Sequence, residues 1–261
     1  MTWGMRRLLF ALLLSLAAPL AAPAQEGPVQ DGPVQDGPVQ DGPAQDGIAP
    51  LPPLTQAQAQ DWLAIGRIRT RKWFASGACT GALIAPDVVL TAGHCAGPSA
   101  NDPTRELYFL AAPFESIDAG QRRIIGSTRH PAYRIGGRHT PRFDIGLLFL
   151  ESPFDDITPL PLAPIPLDQL APPQAALIGY HRLRPFRPTG RIDCPILNQS
   201  PQLLTLGCRV INGNSGSPIM HFAPGGAPRV VAVTSSQAGP NAIAAVLGDW
   251  LHRTLAEHTS N

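Results

Sequence analysis

From Gly66 onward the apolar positions fall in short runs, each ended by proline, glycine or aspartate within a few residues. Gly81–Ile84, Val88–Thr91, Leu107–Leu110, Arg123–Ile125 and Ile145–Leu150 read as strands in the first half. Ala175–Tyr180, Arg191–Ile196, Leu203–Val210, Pro218–Phe222 and Arg229–Thr234 read as strands in the second. Many short strands with turn signals at close spacing predict antiparallel barrels or a sandwich. Helical spacing comes only at the end, where Leu247, Trp250, Leu251 and Leu255 share one face of an expected helix over about 247–257, with Asp249 near its exposed first amides. The proline-rich stretch Ser152–Pro173 has no regular pattern and is expected to connect two halves, about 65–151 and about 174–246.

The pattern before this domain is different. Arg6 and Arg7 precede an apolar run from Leu8 to about Leu20, and Ala22-Pro23-Ala24 follows, as in a secretory signal peptide cut after Ala24. The run is short for a membrane span of about 20 residues. Residues 26–46 then repeat Gly-Pro-Val-Gln-Asp with small variations. Such a unit buries too little apolar surface to offset ordering, so residues 25–54 are expected to be a disordered acidic tether or pro-segment, leaving 55–261 as the folded domain.

The whole chain of 261 residues has a formal net charge of +1. The basic excess of the domain is spread along it, almost all of it arginine, and makes no case for nucleic acid. Four cysteines behind a leader imply an oxidising compartment and two disulfides. Three connectivities are possible; Cys79 with Cys95 and Cys194 with Cys208 is the favoured one, each pair closing a loop of about 15 residues. No Cys-x-x-Cys pair exists to supply half of a zinc site.

Three motifs carry chemistry. Thr91-Ala92-Gly93-His94-Cys95, Asp144-Ile145-Gly146-Leu147-Leu148 and Gly213-Asn214-Ser215-Gly216-Ser217-Pro218 present a base, a carboxylate and a hydroxyl in that order. A serine hydroxyl is a poor nucleophile at neutral pH and needs a base beside it and a carboxylate to orient that base. His94, Asp144 and Ser215 are far apart along the chain, so only a fold could bring them together.

With His130-Pro131-x-Tyr133, these motifs resemble the trypsin-like serine proteases of the chymotrypsin fold, over roughly Ile65 to Leu255. The resemblance implies an all-β fold of two six-stranded antiparallel β-barrels with a C-terminal helix. It also implies a Ser-His-Asp endopeptidase that forms an acyl-enzyme: Ser215 as nucleophile, His94 as base, Asp144 as its orienting carboxylate. The amides of Gly213 and Ser215 would form the oxyanion hole, and the disulfide Cys79–Cys95 would bracket the histidine. Ser235 matches a serine that helps fix the aspartate, although its hydroxyl could equally pair within its own strand. His130 is expected to be structural, and His139, His181, His221, His252 and His258 to be surface or packing residues.

Two departures matter. Asn214 stands where trypsin has an aspartate that pairs with a freed amino terminus, and Ala64-Ile65-Gly66 lacks trypsin's start sequence. The Gly-Asn-Ser-Gly form is similar to bacterial glutamyl endopeptidases and the HtrA-like branch, so activation by that ion pair is not expected. Six residues before Ser215, at the pocket floor of the family, stands Arg209, which would select an acidic side chain; the alternative is a small or apolar pocket. Ile211 replaces a cysteine that would fix the register there.

The composition, with Lys72 as its single lysine, suits a bacterium of high genomic GC content and a periplasmic or extracellular location. The expected partner is a protein or peptide substrate, with no metal, cofactor or nucleic acid, no membrane once the leader is removed, and action as a monomer. The rival from another class is a protease-like binding module without turnover. An acyl hydrolase of the α/β type would need Gly-x-Ser-x-Gly between strand and helix, and Ser217 stands in place of the second glycine.

Overall fold

The computed structural model describes residues 49–70, 79–97, 106–133, 140–164, 170–223 and 225–259. The expected leader and repeat fall outside the described residues, whereas the end of the expected tether, 49–54, is ordered against the strand Arg184–Gln199: Leu51 and Leu54 are buried, and Leu54 N–H donates to Pro188 O at 2.8 Å. Six strands close the first barrel: β1 (Ile65–Thr70), β2 (Cys79–Ala85), β3 (Val88–Thr91), β4 (Leu107–Ala111), β5 (Gln121–Arg129) and β6 (Gly146–Leu150), in the order β1-β2-β3-β6-β5-β4. Six more close the second: β7 (Gln174–His181), β8 (Arg184–Gln199), β9 (Leu203–Leu206), β10 (Pro218–His221), β11 (Arg229–Ala238) and β12 (Asn241–Val246), in the order β10-β11-β12-β9-β8-β7. The paired strands within each barrel run antiparallel. The all-β, two-barrel expectation is therefore met, and closure leaves neither sheet with an open edge.

β1 and β12 have no counterpart among the strands read from the pattern. β1 is Ile-Gly-Arg-Ile-Arg-Thr and β12 is Asn-Ala-Ile-Ala-Ala-Val, so arginines interrupt the first and alanines fill the second, and neither has the unbroken β-branched or leucine-rich run of most of the others. They are strands because they close barrels: β1 lies between β2 and β4, and β12 between β11 and β9. Conversely, the run expected to continue to Val210 stops at Leu206, where Gly207 and the bond of Cys208 to Cys194 turn the chain away.

The interiors are close-packed. Leu83, Leu90, Phe109, Leu147 and Leu148 fill the first barrel, and Leu177, Leu204, Leu206 and Ile219 the second, all fully buried. The proline-rich connector ties the two together: Leu160 N–H donates to Leu83 O at 2.9 Å, while Ala163 and Pro161 exchange backbone bonds with Val230. Helix α1 (Gln56–Ala59) starts on a reciprocal cap between Thr55 and Gln58. Helix α2 (Asp249–Thr259) returns to the first barrel, where His258 stacks on Phe149 and meets the Asp87 carboxylate at 3.0 Å.

Candidate active site

Asp144 follows a single 3₁₀ turn, Pro141–Phe143, and its carboxylate is fully buried where the two barrels meet. Three donors converge on it. Oδ1 accepts the backbone N–H of His94 at 2.8 Å; Oδ2 lies 2.8 Å from His94 Nδ1 and accepts the Ser235 hydroxyl at 2.6 Å. Burial alone would push the pKa of this carboxyl up. The hydrogen bond and charge of His94, then the Ser235 hydroxyl and the His94 amide, outweigh it and hold Asp144 below the usual carboxylate range. Ser235 lies on β11 in the second barrel, so its bond to Asp144 crosses between barrels and is not within its own strand. One ring nitrogen of His94 faces Asp144, and 34% of the side chain is left exposed.

The Ser215 loop is brought to the same edge by Thr80, a residue that the sequence reading did not single out. Thr80 follows Cys79, whose disulfide with Cys95 fixes β2 beside His94. Its backbone N–H donates to Ser215 O at 2.8 Å and its hydroxyl donates to Gly213 O at 2.9 Å. The same hydroxyl oxygen accepts Tyr180 N–H at 2.9 Å, and Thr80 O accepts the Thr91 hydroxyl at 2.8 Å. One fully buried threonine thus joins the nucleophile loop to β7 and β3. The only local signal was its place between a cysteine and a glycine.

Two glycines are required here. Gly213 has φ +108°, and a Cβ would stand 2.6 Å from His181 Cα. Gly216 has φ +84°, and a Cβ would stand 2.2 Å from both Thr80 O and the Thr91 hydroxyl. Asn214 is fully buried between them; its Oδ1 accepts Ile211 N–H at 3.0 Å and its Nδ2 donates to Tyr180 O at 3.3 Å. Its amide braces the loop from within.

Beside Ser215 lies a cleft of about 290 Å³, lined by Val210, Ile211, Asn212, Thr234, Ser236 and Gln237 together with Ser215 and Ser235. Arg209, expected at its floor, does not line it. Val210 is turned into the wall, 4% exposed, and Cys208 is held by Cys194, so the intervening arginine falls outside the cleft, half-buried. Cys79, His94 and Cys95 gather a ring nitrogen and two sulfurs within 4.8 Å, but the disulfide consumes both sulfurs as metal ligands. His130 stacks on Phe143 and meets Trp250 edge-on, which buttresses the turn before Asp144.

The family model for a trypsin-like peptidase domain matches residues 79–232, a span that holds His94, Asp144 and Ser215. The chain belongs to the trypsin-like peptidase family. Among solved structures, a Glu endopeptidase in complex with MPD superposes on this peptidase domain with a TM-score of 0.64, covering 80% of this chain and 96% of that one at 14% identity. At that identity the likeness speaks for the fold. A comparison with curated proteins gave no match. Among the described residues no helix is long and apolar enough to cross a membrane.

Proposed function

We propose that this trypsin-like peptidase is an active, exported serine endopeptidase. The observation that carries the reading is the buried Asp144 carboxylate, with its donors from His94 and Ser235, beside the Ser215 loop. Such a carboxylate fixes the imidazole with one nitrogen turned toward the nucleophile and stabilises the imidazolium when it forms.

In the proposed reaction Ser215 Oγ attacks the scissile carbonyl as His94 takes its proton. The tetrahedral oxyanion is met by the amides of Gly213 and Ser215. As the carbon–nitrogen bond breaks, His94 returns the proton to the leaving amine, and an acyl-enzyme remains on Ser215. Water then repeats the sequence: His94 deprotonates it, the acyl–oxygen bond breaks, and Ser215 recovers its proton.

The nucleophile loop needs no freed amino terminus in this reading, because Asn214 is paired within the fold and carries no charge. Protein carrying residues 25–54 is therefore expected to hydrolyse casein without prior cutting, and Ser215→Ala to be inert. If wild type and Ser215→Ala are both folded and equally inert, the domain is a binding module instead.

A further inference from the structure

The cleft beside Ser215 has a chemical character of its own. Among its described lining residues none is ionisable: Val210 and Thr234 are buried, Ser236 is half-buried, and Asn212 and Gln237 are exposed. The buried pair sets the deep wall and the two amides the rim. Apolar contact and neutral hydrogen-bonding groups are what this wall offers.

Thr234 is the informative residue. Its backbone is committed to the nucleophile loop, since its N–H donates to Ser217 O and its carbonyl accepts Gly216 N–H, both at 2.8 Å. β11 has a bulge between Thr234 and Ser236; Ser235 within it bonds Asp144, and Thr234 beside it lines the cleft. The side chain is 1% exposed, and its hydroxyl has no protein hydrogen-bond partner among the described residues. A buried hydroxyl on a cleft wall is poorly matched by an apolar occupant, which leaves it unpaired, and well matched by one that can bond it.

We infer that this cleft selects an uncharged substrate side chain with an apolar stem and a neutral hydrogen-bonding end, glutamine above all, at the residue whose carbonyl is attacked. Thr234 is the residue that determines the choice. Among the described lining residues a lysine or arginine side chain meets no carboxylate and a glutamate meets no cation, so either leaves an unpaired charge against that wall. Leucine fits the stem and strands the Thr234 hydroxyl. Glutamine fills both demands. The inference rests on the proposed peptidase activity.

The test is a fluorogenic peptide series, identical except for Gln, Leu, Glu or Lys before the scissile bond, with the full chain as enzyme. One hydrogen bond of ordinary net strength corresponds to roughly fivefold in kcat/KM. Gln should exceed Leu by about that factor, and should exceed Glu and Lys by about tenfold or more. Thr234→Val, which removes the hydroxyl but keeps the shape, should lower the Gln to Leu ratio about fivefold, whereas Thr234→Ser should preserve it. A wild-type preference for Leu, Glu or Lys overturns the inference, as does an unchanged ratio in Thr234→Val. The wild-type ranking decides even where a variant fails to fold. Hydrolysis in any other order leaves the peptidase standing; hydrolysis of no peptide at all removes both readings.

Discussion

Thr80→Val tests whether the nucleophile loop is held by the hydroxyl that joins it to both barrels. The substitution keeps the shape and keeps the backbone bond to Ser215 O. It removes the acceptor of Tyr180 N–H at 2.9 Å, in a fully buried bond, and the donor to Gly213 O at 2.9 Å, in a part-buried one. The hydroxyl has one proton, so the 3.3 Å approach to Tyr180 O adds little to the bond already given to Gly213. An orphaned buried amide costs about 1–3 kcal/mol and the second lost bond about 1 more, so the domain should lose roughly 2–4 kcal/mol. For a domain near 200 residues this is a Tm drop of about 4–16 °C. Because the Gly213 carbonyl belongs to the loop proposed to receive the oxyanion, kcat should fall by about tenfold to a hundredfold with KM changing less. Urea unfolding followed by tryptophan fluorescence, together with peptide hydrolysis, reads both quantities. Thr80→Ser keeps the hydroxyl and should stay near wild type in each. If Thr80→Val unfolds within about 0.5 kcal/mol of wild type, or matches Thr80→Ser in kcat, the hydroxyl does not hold the loop.

Ser235→Ala removes one donor from Asp144, whose folded carboxyl lies below the usual carboxylate range. A depressed carboxyl adds stability that is complete above its unfolded value, near pH 4, and lost as pH falls through its folded value. Ser235→Ala should therefore bring acid unfolding in at higher pH, read as Tm between pH 2 and 6; superimposable curves would contradict the assigned bond. Asn214→Asp places a carboxylate oxygen against Tyr180 O in a fully buried site, and should cost several kcal/mol in denaturant unfolding without creating dependence on a freed amino terminus. Replacing both Cys194 and Cys208 by alanine opens a loop of about 15 residues and should cost about 3 kcal/mol by the chain-entropy model, measured by chemical unfolding.

The alternation of short apolar runs was sufficient to show an all-β domain, because most of its strands carry β-branched or leucine-rich runs. β1 and β12 escaped because Arg67 and Arg69 interrupt one and alanines fill the other; what makes them strands is two neighbours each, a tertiary fact. At the site, His94, Asp144 and Ser215 stood out because each sits in a motif whose neighbours serve it. Thr80 did not, since its partners lie on β7 and in the nucleophile loop, far along the chain. The expectation for Arg209 rested on counting back from Ser215. It missed the turn at Gly207-Cys208 that decides which side chains reach the cleft, and Thr234, invisible to that count, comes from another strand.

The central claim is that Ser215 is an activated nucleophile. Its most direct measurement is the reaction of the full chain with a fluorophosphonate, with the adduct mapped by peptide mass spectrometry. The account predicts a single adduct on Ser215, formed without prior cutting, lost in Ser215→Ala and strongly slowed in His94→Ala. An unlabelled folded protein, or labelling that persists in Ser215→Ala, would contradict it.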